Sequence, residues 1–217
     1  MKVDFFTHHY LRILILIVFC SISKLHSQPK EVVIHQSLSS AFKTPKEVRI
    51  LDLSRKQLKA LPKEIEQLVN LERLYLKDNE LTTLPEEIGK LENLKMLDLT
   101  RNQISSFPKE FWELNNLVVL IMKNNKLSTI PEGIGQLKNL SLLDLDSNQL
   151  TTIPKEIGQL DNLLTLNLSS NKLISIPAEI GQLKKLRNLN LWHNPTLTTP
   201  EKYIRELFRK QDITIEK

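Results

Sequence analysis

The feature that most constrains this chain is a pattern of leucines that returns every 23 residues between Val48 and Pro200. Units begin at Val48, Leu71, Leu94, Leu117, Leu140, Leu163 and Leu186. The second unit shows the pattern in full. Its apolar positions are Leu71, Leu74, Leu76, Leu81, Leu84, Ile88 and Leu91, punctuated by Asn79, Pro85 and Asn93. A unit this short cannot bury its apolar side alone, so successive units must stack and share one continuous core. Seven stacked units over residues 48–199 therefore predict a single elongated α/β domain: a curved, horseshoe-like solenoid with a parallel sheet on its concave side.

Each unit divides into three parts with separate physical causes. In Leu74-Tyr75-Leu76 the leucines alternate with polar or variable residues, so a short strand points the leucines inward and its other side chains out. The next asparagine (Asn79, Asn102, Asn125, Asn148, Asn171 or Asn194) ends the strand. Its amide both donates and accepts, so a stack of them forms a structural ladder between coils. The first unit carries Lys56 there, which leaves the ladder incomplete at that end. Pro85, Pro108, Pro131, Pro154 and Pro177 then open short helical or 3-10 turns on the convex side. Asn70, Asn93, Asn116, Asn139 and Asn162 precede the next strand and are expected to cap the convex turn.

Atypical segments flank the repeats. Residues 28–47 lack the period, but Val33, Leu38, Ala41 and Phe42 share one face of a short helix and predict an N-terminal cap. Residues 200–217 predict a C-terminal cap: a helix from Pro200 with Tyr203, Ile204, Leu207 and Phe208 as its stripe, then an edge strand at Ile213-Thr214-Ile215. In Asn194-Pro195-Thr196-Leu197 the leucine comes one residue late, so the regular solenoid is expected to end there.

Residues 1–27 read as a signal peptide. Lys2, His8, His9 and Arg12 precede the apolar run Ile13 to Phe19, followed by Ser21, Ser23 and Ser27. The run is too short for a spanning helix, which needs about 20 apolar residues. Cleavage before Lys24 and cleavage before Gln28 both remain open. A lipoprotein alternative would acylate Cys20, because Ile17-Val18-Phe19-Cys20 loosely resembles a lipobox, although Phe19 stands where a small residue is wanted. Export to a secreted, periplasmic or surface location is the expectation, with membrane attachment only through Cys20.

Composition narrows the function. The net charge is only +5, with basic and acidic residues interleaved, so nucleic acid is not expected as a partner. Cys20 is the only cysteine, which leaves the repeats without disulfide or thiol chemistry. After residue 27 only His35 and His193 remain as histidines, at opposite ends, and no nucleophile has a base and an orienting group. The five glycines belong to the convex turns rather than to a phosphate loop. No catalysis, cofactor, metal or small-molecule substrate is expected. Asp98, Asp144 and Asp146 lack the turn and glycine of a calcium loop.

The Ile-Pro-x-Glu-Ile-Gly-Gln-Leu-x-Asn segment at 153–162, its counterpart at 176–185 ending in Lys185, and the lead-in Thr44-Pro45-Lys46-Glu47-Val48-Arg49-Ile50-Leu51-Asp52-Leu53-Ser54 carry a family resemblance. Residues 48–200 resemble the bacterial 23-residue leucine-rich repeat proteins, especially exported ones of pathogenic spirochaetes, and more distantly the Ras-group and plant disease-resistance repeats. The resemblance implies protein binding, often to host or envelope components, though a fold alone does not fix a function.

The outward strand positions locate a candidate binding face. Strands about 4.8 Å apart would set seven positions across roughly 29 Å. The first column runs from Ile50 through Arg73, Met96, Val119, Leu142 and Thr165 to Asn188; the second runs Asp52, Tyr75, Asp98, Ile121, Asp144, Asn167, Asn190. Met96, Val119, Ile121 and Leu142 are expected as an exposed anchor of about 300 Å², with Tyr75, Asp98 and Asp144 selecting the partner. In the third column, which ends at Trp192, the tryptophan is expected to pack beneath Tyr203 or Leu207. Two other roles remain open: a self-associating structural envelope protein, and a cytosolic scaffold should residues 1–27 not act as a signal.

Overall fold

A computed structural model of the chain describes residues 33–209 and 211–216. The expected signal peptide, both expected cleavage positions and Cys20 therefore lie outside the described residues, as does the start of the expected N-terminal cap.

Seven three-residue strands follow the period: β2 (Ile50–Asp52), β3 (Arg73–Tyr75), β4 (Met96–Asp98), β5 (Val119–Ile121), β6 (Leu142–Asp144), β7 (Thr165–Asn167) and β8 (Asn188–Asn190). Two further strands extend the sheet, β1 (Ile34–His35) before them and β9 (Thr214–Glu216) after. The nine strands of the described residues are all parallel and adjacent in chain order. Each strand's middle leucine, Leu51 through Leu189 at 23-residue steps, is 0–1% exposed and points into the core. The return segments are six 3-10 helices, from Lys63–Gln67 to Ala178–Gln182. Each is preceded by a proline in extended conformation whose carbonyl accepts the first helical bond, as in Ile88 N–H to Pro85 O at 3.1 Å. Ile65, Ile88, Phe111, Ile134, Ile157 and Ile180 close the core from this side.

Two asparagine ladders tie coil to coil. Asn125 Oδ1 accepts the Ile104 N–H at 2.9 Å, and its Nδ2 donates to Leu99 O at 2.9 Å in the preceding coil and to Met122 O at 3.0 Å in its own. Asn79, Asn102, Asn148, Asn171 and Asn194 repeat this arrangement. At the first coil, the N–H groups of Lys56 and Leu58 both donate to Asn79. The second ladder runs along the turn before each strand, where Asn70, Asn93, Asn116, Asn139 and Asn162 each donate to a carbonyl 24 residues back. Lys185, standing in for the next asparagine, donates to Asn162 Oδ1 at 2.7 Å.

The turn that brings each ladder asparagine inward is strained. Arg55, Asp78, Arg101, Asn124, Ser147, Ser170 and His193, each one residue before the ladder position, adopt φ of 53–60°. Left-handed backbone is costly for side chains other than glycine or asparagine. At all of these but Arg55, the buried amide bonds of the following asparagine hold it in place; after Arg55 the Lys56 N–H is instead tied to Asn79 Oδ1 at 3.0 Å.

At the N-terminal end, α1 (Leu38–Ala41) is a single turn capped by Ser37, whose hydroxyl accepts the Ser40 N–H at 3.2 Å. Ala41 is buried, and Leu38 and Phe42 pack against the core. Val33 does not join this face. It precedes β1 and is 63% exposed, because the chain here forms a strand rather than a longer helix. At the other end, α2 (Glu201–Leu207) buries Ile204, and Phe208 is buried just after it. Tyr203, expected on that stripe, is 44% exposed. Among the described residues no helix is long and apolar enough to cross a membrane.

Candidate protein-binding face

Strand register sets the candidate residues beside one another. Met96, Val119 and Leu142 are direct partners on β4, β5 and β6, as are Asp98, Ile121 and Asp144, with Tyr75 opposite Asp98 on β3. Their side chains alternate with Leu97, Leu120 and Leu143 and stay outside the hydrophobic core those leucines build. The predicted cluster thus exists as a separate apolar group on the opposite face of the sheet.

Its exposure differs from the expectation. Met96, Val119, Ile121 and Leu142 are only 3%, 1%, 4% and 1% exposed. An open anchor of about 300 Å² is therefore corrected to a covered one. Column neighbours about 4.8 Å away shield each other's flanks, a contribution that counting outward positions leaves out. Around this centre Arg73, Tyr75, Asp98, Lys123 and Thr165 are half-buried and reach solvent, whereas Asp144, expected to face a partner, is buried at 5% exposure.

The two aspartates assigned to selection also serve the backbone. Asp98 Oδ1 accepts the Thr100 N–H at 2.8 Å, and Asp144 Oδ1 accepts the Asp146 N–H at 3.0 Å. Asp52, Asn167 and Asn190 make the same bond two residues on. Tyr75 and Ile121 cannot, so these two strands give up a local cap for a large side chain on this face. That contrast is legible in the second column once its structural role is known.

Electrostatics along the face are uneven. Burial pushes the Asp144 carboxyl up to about 6, opposed by the Asp146 N–H. Burial also raises Asp98 and the Tyr75 hydroxyl above their ordinary values. Asp146 goes the other way: burial pulls it up, but the Lys123 ammonium at 2.9 Å and the Ser169 hydroxyl at 2.7 Å outweigh that and hold it low. Toward the N-terminal end Asp78 is shared by Arg55 at 3.3 Å and Arg101 at 3.5 Å. Gln36, Asp52, Ser54, Arg55, Lys56 and Lys77 line a depression there. Among the described residues no group of three or more His, Cys, Asp or Glu side chains is placed to hold a metal ion.

The position just before each strand went uncounted in the sequence. It is polar at Arg49, Glu72 and Lys95, where Glu72 pairs with Arg49 at 2.6 Å and with Lys95 at 3.1 Å. Burial raises the Glu72 carboxyl, but these two cations prevail and hold it below its ordinary value. Val118, Ser141 and Leu164 then continue this column, and the buried Ser141 hydroxyl has no hydrogen-bond partner.

Trp192 departs from its expected role. It is 49% exposed rather than packed beneath Tyr203 or Leu207, and its indole lies 4.5 Å from the His193 ring at a 33° tilt. The left-handed turn at His193 (φ 60°) brings the two rings together instead of carrying the indole toward the cap.

Residues 29–147 and 121–211 match a family model described as a leucine-rich repeat region. A solved leucine-rich repeat protein of Leptospira interrogans is similar at 35% identity and a TM-score of 0.62, over 84% of this chain and 57% of that one. The ectodomain of the Arabidopsis thaliana membrane receptor kinase GASSHO1/SCHENGEN3, in complex with Casparian strip integrity factor 2, is 31% identical with a TM-score of 0.58, over 74% of this chain and 23% of that one. The plant peptide hormone receptor RGFR1 in complex with RGF2 is 28% identical with a TM-score of 0.60, over 88% of this chain and 34% of that one. This chain thus spans less than two thirds of each of these structures. Comparison with curated proteins gives no match.

Proposed function

Because this chain belongs to the leucine-rich repeat family, we propose that it is an exported, non-enzymatic recognition module that binds a protein partner through the strand face of its solenoid. The observation that carries this reading is the gathering of Met96, Val119, Ile121 and Leu142 in register on the face opposite the core. A contact surface uses such an apolar centre with a polar and aromatic border. Tyr75 and Asp98, both half-buried, supply that border, with Asp144 buried behind it. The two plant neighbours, each solved with a ligand, support a protein or peptide partner. Export rests on the pattern of residues 1–27, and a host or envelope partner on the resemblance to spirochaetal proteins.

The test is affinity capture with the chain as bait, comparing wild type with Tyr75→Ala and with the Val119→Lys/Ile121→Lys pair. Loss of one discrete partner in both variants, with unchanged thermal unfolding of Tyr75→Ala, supports the reading. Full retention in both refutes it. Mass spectrometry of the native N-terminus tests export separately and reports any acyl group on Cys20.

Self-association is the second reading, favoured by the exposed Val33 (63%) and Ile34 (52%) at the β1 edge. Among the described residues β1 is the edge of the sheet, and an apolar edge is a template for another chain. Light scattering separates the two readings: a monodisperse monomer excludes the second.

A further inference from the structure

The strand face changes character along its length. It is cationic near β2 and β3 and apolar from β4 to β6, but beyond β6 it becomes neutral and polar. Register sets Thr165, Asn188 and Thr214 in one column and Asn167, Asn190 and Glu216 in the next. Trp192 follows Asn190 on the same side of the chain, and its N–H donates to Asn190 Oδ1 at 2.9 Å. We propose that this C-terminal end of the face is a saccharide-binding platform, in which Trp192 stacks on a sugar ring and the asparagine amides bond its hydroxyls.

Three observations support the assignment. The first is the tryptophan itself. Burying an indole is strongly favourable, yet Trp192 stays 49% exposed while the other tryptophan, Trp112, is 4% exposed in the core. One side of the Trp192 ring rests on His193, which fixes its orientation and leaves the opposite side to a ligand. A pyranose presents an apolar C–H face to such a ring and polar groups around its rim.

The second is the donor set. Asn190 Oδ1 is occupied by the Trp192 N–H, which aims its Nδ2 outward, and Asn188 makes no side-chain hydrogen bond among the described residues. Asn167 likewise uses Oδ1 on Ser169 and keeps Nδ2 for a ligand. An amide offers both donors and an acceptor, which suits hydroxyls that are both at once. Spanning three strands and five residues of strand length, the platform measures about 10 by 13 Å, roughly two sugar rings.

The third is charge. Apart from Glu216 at the edge, none of these platform residues is ionic, and Asp146 beside it is neutralised by Lys123. Among the described residues the one cation bordering Glu216 is Arg187, which donates to the Asp212 carbonyl at 3.3 Å, so the platform's border holds one charge of each sign, and a protein anchor would want more apolar area than one indole. A neutral saccharide fits both conditions. This site shares no residue with the apolar centre of the protein-binding face, so each stands or falls alone.

The chain has only two tryptophans, so in Trp112→Phe the indole emission reports Trp192 alone. Titration of that full-length variant with chitotetraose and with cellotetraose tests the site. A saturable quench or blue shift with either sugar, with a dissociation constant on the order of 1 mM or tighter, supports the platform. Calorimetry on the chain with Trp112 intact then expects no binding by Trp192→Ala and about tenfold weaker binding by Asn188→Ala. Absence of a saturable change with both sugars overturns the proposal, as does unchanged affinity in Trp192→Ala.

Discussion

Trp112 and Gly133 form a compensating pair across two coils: a Cβ built on Gly133 would lie 2.5 Å from both Cγ and Cδ1 of Trp112. Glycine occupies the position of Trp112 in four other coils, as Gly89, Gly135, Gly158 and Gly181, and glutamate occupies the position of Gly133 in five, as Glu64, Glu87, Glu110, Glu156 and Glu179. The third coil fills its convex side with Phe107, Phe111 and Trp112, whose rings meet at 4.4–5.8 Å. The fourth coil gives up its glutamate to admit them.

Restoring the usual residue on one side alone should therefore fail. Gly133→Glu is expected to lower stability by about 1–3 kcal/mol through overpacking, measured by urea unfolding. In a Trp112→Gly background the same change should cost less than half as much, so the double-mutant cycle gives a positive coupling. Additive effects would mean the two residues do not share space.

The ladder makes a second prediction. Asn125→Ala strands the Ile104 N–H in the interior, while the Leu99 and Met122 carbonyls each keep one amide donor, from Asn102 and Asn148. One unsatisfied buried donor costs about 1–3 kcal/mol, so a loss of roughly 2 kcal/mol is expected, measured by urea unfolding. Asn125→Asp should also destabilise, because it keeps the acceptor but turns a donor into a charge facing two carbonyls.

The Asp144 carboxyl sets a pH dependence whose sign follows from its raised value. Folded, it titrates near 6 against an ordinary 3.8, so the native state binds the proton more tightly. Its stabilising contribution is whole below about pH 4 and is lost as pH rises through 6. Asp144→Asn should match wild type near pH 4 and exceed it at pH 7, by on the order of 3 kcal/mol. Asn at this position keeps an oxygen for the Asp146 N–H. Equal stability at both pH values would show that the carboxyl is not desolvated.

Strain at the turns is testable at Ser170, which holds φ of 53°. Ser170→Gly or Ser170→Asn should stabilise by about 0.5–1 kcal/mol and Ser170→Val should destabilise by more than 1 kcal/mol. Thermal unfolding of the three variants gives the order directly.

Much of the architecture was readable because period and polarity act locally. Leu74 and Asn79 repeat with their partners at fixed spacing, and the stacked fold was the way to bury them. β1 was not readable, since Ile34–His35 is two residues long and lies outside the repeat. The face that Met96 and Val119 occupy was legible from alternation, but their exposure was not, because alternation assigns a side and says nothing of cover. Trp192 was misplaced for a related reason: its distance in sequence from Tyr203 does not reveal that a left-handed turn sends its ring to His193. Asp98 and Asp144 read as free surface charges, and only the strand-end hydrogen bonds show that one oxygen of each is already committed.

The most direct test of recognition through the strand face is photo-crosslinking in the native cell, with p-benzoylphenylalanine replacing either Tyr75 on the sheet or Glu132 on a convex turn. The account predicts a discrete protein adduct from position 75 and none from position 132. An adduct from position 132 with none from position 75 would contradict it.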